Sequence, residues 1–426
     1  MPALGALVAQ PLFVLTDTAM VGHLGEEVLA GMSIGSTIVT TAVGLSIFLA
    51  YVTTPLVARR LGAGDRAGAI RAGIDGMWLG LGLGVALLLV GLAVAFPLVG
   101  AFTSSPGAAA AARAYLTVSL WGLPGMLVVI AATGLLRGLQ NTRVPLVIAV
   151  TGAVVNAGLN FVFIYPMGMG VAGSALGTAV TETLMAAAFV VIAVRAARAA
   201  GVSLRPGIGD PRQALSASAF MLLRTLTLRA SMLLLVWTAG RLGVPELAAL
   251  QITLAVFNLL AFALDALAIA AQAMVGHDLG AGERDSVRSL TWLLVRWGLV
   301  LGLALGLVIA ALSPVLGRLF ASDAGVLSVV PAGLLAMAVF VPLYAVVFVL
   351  DGVLIGAGDA RYLAWAGFAP LAAFALLAWW LVAAGVSGAW GIAWLWIAYG
   401  GGNMAVRAAT LVLRARGTRW LEVGAG

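Results

Sequence analysis

The chain contains no cysteine and no lysine. Without cysteine there can be no disulfide framework and no thiolate-held metal. The two histidines, His23 and His277, sit at the ends of apolar runs with no second ligand at metal-binding spacing, so no metal site is expected. Charge is scarce as well. Only 9% of the 426 residues are charged, against about 25% in a soluble domain. The Gly-rich stretch Leu79 to Val85 is apolar and has no lysine, which excludes a phosphate loop and fits close helix packing. No Ser/His/Asp arrangement and no intramembrane protease motif occurs, so neither an enzyme nor a cofactor is expected.

What the chain has in excess is apolar length. Hydrophobic residues make up 63% and the mean hydropathy is +1.13. Many runs exceed the roughly 18 residues that suggest a membrane span. The pattern predicts spans at 3–22, 33–57, 73–99, 114–136, 144–165 and 170–195, then 216–240, 248–275, 290–312, 329–354, 362–385 and 389–413. The expected class is an all-α integral membrane protein of twelve helices. It divides into an N-terminal six-helix lobe (1–198), a linker (199–214), a C-terminal six-helix lobe (215–415) and a tail (416–426). The first span begins at Met1 without the basic n-region and small-residue cleavage site of a signal peptide. Its shortness fits a native chain that starts a few residues earlier.

Arginine placement sets the expected orientation. Seventeen arginines, Arg407 among them, fall on the side of the termini, and three, Arg113, Arg241 and Arg318, fall opposite. Both termini and the linker are therefore expected in the cytoplasm, and the net charge of +7 follows from topology without a nucleic-acid partner. An Ala-, Gly- and Val-rich chain with arginine as its sole strong base suggests a GC-rich genome. The expected location is the inner (plasma) membrane of a bacterium, as a monomer.

The two halves match without a gap at an offset of 218. Gly22-His23-Leu24-Gly25 meets Gly240-Arg241-Leu242-Gly243, and Leu61 to Arg66 meets Leu279 to Arg284. Pro124, Gly134 and Gly138 meet Pro342, Gly352 and Gly356. This is one duplicated unit. Six spans per copy is an even number, so the copies are parallel repeats, an organisation common in transporters.

Duplication lets scaffold be separated from chemistry. Residues that stabilise a shared fold recur in both halves, whereas residues for transport need not. At membrane depth, Asp17 faces Leu235, Asn156 faces Phe374, Asn160 faces Ala378 and Glu182 faces Gly400. Arg224 faces Ala6, Arg229 faces Pro11, Asp265 faces Ile47 and Asp351 faces Thr133. A charge at the bilayer centre costs roughly 2.5–3.5 kcal/mol, so these residues need a reason, and moving an ion or polar solute is the usual one. Asp17 lies six residues after Pro11, where a proline kink could couple protonation to bending. Asn156 and Asn160 share one helical face and, with Glu182, could complete an ion-coupling pocket, or simply hold helices together by hydrogen bonds. Gln251, Asn258, Asp265 and Gln272 recur every seven residues and form a polar stripe in the eighth span, facing either a cavity or a buried seam. Arg224 or Arg229 is expected to pair with Asp265 or Asp351. Trp390, Trp394 and Trp396 read as an interfacial belt or packing.

At these residues the chain resembles the multidrug and toxic compound extrusion (MATE) family. The run Pro11-Leu12-Phe13 through Asp17-Thr18-Ala19-Met20-Val21-Gly22-His23-Leu24-Gly25 is similar to the family's first helix, and Arg137 to Thr142 to its loop after helix four. Leu264-Asp265-Ala266, Ala271 to Gly276 and Leu350-Asp351-Gly352 resemble the DinF-type branch. The resemblance implies a two-lobed, V-shaped antiporter that exports amphipathic, often cationic compounds in exchange for H+ or Na+. It implies proton coupling at Asp17 through bending of helix one, pocket partners at Asn156, Asn160 and Glu182, and a coupling position at Asp351. The chain departs from the family at Ala266, Gln272 and Asn160, where relatives often carry Gly, Glu and Asp, so its second-lobe acidic cluster is reduced. The expected function is H+-coupled multidrug efflux by alternating access. The alternatives are Na+ coupling, a lipid-linked saccharide flippase of the same superfamily, and a membrane enzyme or channel.

Overall fold

In the computed structural model, residues 16–207, 211–319 and 323–424 are described; the side chains of Phe96 and of 211–215 are excepted. Among them there is no strand. The helices are α1 (described over 16–22), α2 (Glu26–Gly62, with a turn at 46–47), α3 (Arg66–Phe102), α4 (Pro106–Gly138), α5 (Arg143–Ile164) and α6 (Gly170–Ala199). The second set is α7 (Pro211–Leu242), α8 (Val244–Gly280), α9 (Arg284–Leu319), α10 (Ala324–Gly356), α11 (Ala360–Ala384) and α12 (388–416). Ten of these are long and apolar enough to cross a membrane as single helices. In α12 the π-helical segment Tyr399–Met404 separates Gly388–Ala398 from Ala405–Arg416.

Several helices overrun the spans read from hydropathy. α3 begins at Arg66 rather than 73 and α9 at Arg284 rather than 290. Hydropathy sees only the hydrocarbon-crossing part, whereas a helix continues until its end is capped. Asp65 Oδ1 accepts from Gly68 N at 2.7 Å, Asp323 Oδ1 from Val326 N at 2.9 Å and Ser105 Oγ from Ala108 N at 3.3 Å.

The chain separates into two compact units, residues 1–214 with 425–426, and 215–424. The repeat survives in backbone detail. Gly64 and Gly282, in the matched Leu-Gly-Ala-Gly loops, have φ of +80° and +83°. The residues that follow, Asp65 and Glu283, have φ, ψ of −87°, 74° and −87°, 70°. Only glycine adopts such positive φ without strain, which explains its recurrence here.

Within each unit one helix is central, α4 in the first and α10 in the second. Val128, Ala131, Leu135 and Leu136 of α4 pack against Ala69, Ala72 and Met77 of α3 and Ala186, Phe189 and Ala193 of α6. Close approach depends on a glycine pair four residues apart, found in both units. A Cβ on Gly134 would lie 3.2 Å from Ala50 Cα, and one on Gly138 2.7 Å from Thr54 O. In the second unit Gly352 abuts the Ala268 carbonyl and Gly356 that of Gln272, where a Cβ would sit 2.5 Å from the oxygen. Gly352→Ala must therefore push α10 off α8. It is expected to cost about 1–3 kcal/mol, as overpacking does, and to lower the melting temperature of detergent-purified protein in a thiol-independent unfolding assay. An unchanged transition would show that the contact is loose.

The exterior is apolar. On α9, Leu293, Trp297, Val300, Leu303 and Leu307 are exposed while Leu294, Gly298, Gly302, Gly306 and Ile309 are buried. An outward stripe of large hydrophobic side chains is the surface that lipid requires.

Candidate functional site

The polar centre of the first unit forms where α1, α5 and α6 meet. α1 ends at the Gly22–Gly25 turn, where Leu24 N donates to Val21 O at 2.9 Å and Gly25 has φ of +119°. Tyr165 Oη donates to Met20 O at 3.0 Å and ties this end to α5. Val21, Met32, Tyr115, Ile164, Val171 and Ala175 form an apolar cluster beside it. Asp17 is thereby held one turn inside the helix end, and it is only 4% exposed. It does not reach headgroups or water from a helix terminus.

Both carboxylate oxygens of Asp17 accept hydrogen bonds. Asn160 Nδ2 donates to Oδ1, and Thr178 Oγ1 donates to Oδ2 at 3.2 Å. Asn156 Nδ2 donates to Thr178 Oγ1 at 3.3 Å, and Asn160 Nδ2 lies 3.2 Å from Asn156 Oδ1. Asn156 and Asn160 are fully buried. Glycine makes the contact possible: a Cβ on Gly173 would lie 2.8 Å from the Phe163 carbonyl carbon, and one on Gly177 would collide with the Asn160 side chain. The structure thus brings Asp17, Asn156 and Asn160 together. Glu182 stands one turn of α6 beyond Thr178, buried, and not bonded to this cluster. Pro11 lies outside the described residues.

Thr178 is a member that reading charged and amide positions alone overlooks. Its counterpart is Trp396, so the asymmetry is present in the sequence. The equivalents of Asp17, Asn156, Asn160 and Thr178 in the second unit are Leu235, Phe374, Ala378 and Trp396, all fully buried. One scaffold position therefore holds a carboxylate with two hydrogen-bonding partners in one unit and an apolar plug in the other. Trp396 is core and not an interfacial belt: its Nε1 donates to Thr253 Oγ1 at 2.9 Å, and it packs 5.7 Å from Phe257 and 5.9 Å from Tyr399. Trp390 and Trp394 are exposed.

The second unit has its own buried charges at a different position. Asp351 of α10 lies between two arginines. Arg224 Nη2 of α7 donates to Oδ2, and Arg407 Nη2 of α12 donates to Oδ1 at 2.8 Å. The three residues are 8%, 5% and 4% exposed in that order. Arg224 is the expected partner. Arg407 is a correction, because its place in the sequence assigns it to the membrane surface, yet it is buried. Its counterpart Phe189 is a core residue and was the available signal. Arg229 is exposed and forms no ion pair with Asp351. Along the α8 stripe, Gln251 and Asn258 are exposed, Asp265 is half-buried and Gln272 is buried, so the stripe runs from the surface into the core. Glu246, also buried, accepts from Gly388 N and caps the start of α12. No cluster of three or more His, Cys, Asp or Glu able to hold a metal occurs among the described residues.

A buried carboxylate bonded by one amide and one hydroxyl, with a second amide behind them, thus occurs in one copy of the duplicated unit and not in the other. Comparison with known proteins identifies the family. A family model, MatE, matches twice, at residues 2–162 and 221–380, once in each half of the repeat. Protein DETOXIFICATION 44, chloroplastic, of Arabidopsis thaliana is 29% identical over 86% of this chain and 72% of its own length. A probable multidrug resistance protein NorM of Bradyrhizobium diazoefficiens is 30% identical over 97% of this chain and 91% of its own. A solved MOP superfamily transporter from Pyrococcus furiosus superposes with a TM-score of 0.87 at 21% identity, covering 97% of this chain and 94% of that one, and shares the twelve-helix fold. With both halves matched, the chain belongs to the MatE family of membrane efflux transporters.

Proposed function

We propose that the protein is a secondary antiporter that exports amphipathic organic cations in exchange for H+ by alternating access, with Asp17 as the residue that takes up and releases the proton. The observation that carries this reading is the Asp17–Asn160–Thr178–Asn156 cluster, set against the apolar plug at the same position in the second unit. A buried carboxylate without a cationic partner costs stability. A scaffold with an apolar solution at hand keeps such a group where its charge is used.

A single carboxylate with two donors directed at it suits a proton better than Na+ as the coupling ion. The groups directed at its two oxygens are an N–H and an O–H. Hydrogen-bond donors stabilise the carboxylate and are repelled by a metal ion, which instead needs several oxygens directed inward. A proton needs one carboxyl oxygen. Pro11, six residues earlier, is the proposed hinge of α1. Membership of the DinF-type branch, a monomeric state and cytoplasmic termini belong to the same reading. Arginine asymmetry still supports the orientation with Arg407 set aside, at sixteen against three.

Purified protein in liposomes decides between coupling ions when pH and Na+ gradients are imposed separately. Ethidium is expected to move against its gradient when the pH gradient alone is present, and to stop when an uncoupler collapses that gradient. Movement that follows the Na+ gradient at constant pH would overturn proton coupling in favour of Na+.

A further inference from the structure

α6 presents a second acidic group that the Asp17 cluster does not use. Glu182 follows Thr178 by one turn on the same face, is 6% exposed, and has no hydrogen-bond or ion-pair partner among the described residues. Along the same helix are two hydroxyls in the same condition, one adjacent at Thr181 and one two turns back at Ser174. Thr181 Oγ1 and Ser174 Oγ are buried without a hydrogen-bond partner. A helical Ser or Thr ordinarily returns its proton to the carbonyl one turn back, as Thr183 does to Ala179 O at 2.7 Å. Residues 174, 178 and 181 fall at i, i+4 and i+7, so these hydroxyls form one stripe, and Glu182 borders it.

The second unit shows what this position holds when it has no task. Thr181, Glu182, Gly122 and Met126 correspond to Tyr399, Gly400, Phe340 and Tyr344. There the Phe340 ring rests on Gly400, and the rings of Tyr344 and Tyr399 lie 6.3 Å apart within a packed aromatic core. In the first unit α4 presents glycines instead. A Cβ on Gly122 would lie 3.1 Å from Ala179 Cα, and one on Gly125 3.1 Å from the Glu182 carbonyl carbon. The α4 backbone therefore packs directly on the α6 backbone at this level.

We infer that Glu182, with the hydroxyl of Thr181 beside it, binds the positively charged group of the exported compound, an alkylammonium or comparable monovalent organic cation. This rests on the export reading and divides its work between two carboxylates. Asp17 has both oxygens occupied by donors from Asn160 and Thr178, which admits a proton and excludes a bulky cation. Among the described residues nothing bonds either carboxylate oxygen of Glu182. An organic cation is weakly hydrated, so one carboxylate can offset its charge while neighbouring hydroxyl oxygens accept from any N–H it carries.

The test is equilibrium binding of tetraphenylphosphonium and of a benzylammonium dye to purified full-length protein at pH 8. Glu182→Gln is expected to weaken both by about tenfold or more, the size of one lost charge contact. Glu182→Asp should recover most of the loss. Thr181→Val, which keeps shape and removes only the hydroxyl, should weaken the ammonium dye and leave tetraphenylphosphonium, which has no N–H, unchanged. Glu182→Gln that folds and binds as tightly as wild type overturns the inference and leaves the export reading standing. Wild-type protein that neither binds nor exports either cation removes the export reading itself, and the inference with it.

Discussion

Asp17→Asn is expected to give a folded protein whose ethidium export no longer responds to a pH gradient. Asparagine has the shape of a protonated aspartic acid but cannot release a proton, so α1 would be fixed in one protonation state. Its oxygen can still accept from Asn160 Nδ2 or Thr178 Oγ1, the two donors that Asp17 satisfies. The variant also removes a charge that lies 4% exposed. Neutralising a charge at membrane depth relieves a cost of roughly 2.5–3.5 kcal/mol. The melting temperature should therefore stay level or rise while gradient-driven export falls to the background of empty liposomes, a separation of stability from activity expected at functional sites. Asn160→Ala, by contrast, removes a donor and leaves the carboxylate. It should retain pH-driven export but shift its pH dependence, because the group no longer stabilises the charged form. Full pH-driven export by Asp17→Asn would show that the proton travels elsewhere.

The duplication made much of this legible in advance, and the exceptions have physical causes. Comparing positions 218 apart isolates Asp17, Asn156 and Asn160, and these do meet. Thr178 is hard to single out because a hydroxyl is cheap in lipid, although Trp396 opposite it marks the same asymmetry. Arg407 escaped for the opposite reason. Arginine near a span end is usually topological, and only its counterpart Phe189, deep in the α3–α4–α6 core, reveals burial. The α8 stripe was right in phase and wrong in uniformity: periodicity places residues on a face but does not say how that face passes from surface to core. The π segment at Tyr399–Met404 had a sign in its three consecutive glycines, yet hydropathy alone does not separate π from α turns. The family resemblance named the fold at once. It did not show that the site in one unit is an aromatic and aliphatic plug in the other, which follows from the coordinates of Leu235, Phe374, Ala378 and Trp396.

Asp351→Asn should do the reverse of Asp17→Asn. It removes the carboxylate that Arg224 of α7 and Arg407 of α12 share in the buried core. Breaking a buried ion pair by removing one partner costs about 3–5 kcal/mol, because the remaining charge cannot be rehydrated. Here two remain, so the protein is expected to elute as aggregate or to melt well below wild type. The duplication supplies the control. The first unit holds Ala6, Thr133 and Phe189 at the equivalent positions. A triple variant, Arg224→Ala with Asp351→Thr and Arg407→Phe, removes all three charges together and installs residues the same scaffold already accepts. Replacing a buried ionic cluster by apolar groups of suitable shape is often neutral or stabilising, so the triple variant should recover most of the lost melting temperature. It should also export ethidium at near the wild-type rate, because the triad joins α7, α10 and α12 and the proposed proton and cation sites both lie in the first unit. A triple variant that melts like wild type yet exports nothing would place Asp351 on the transport path. Rescue of both properties would identify the triad as a clamp, leaving Asp17 and Glu182 as the charges that work.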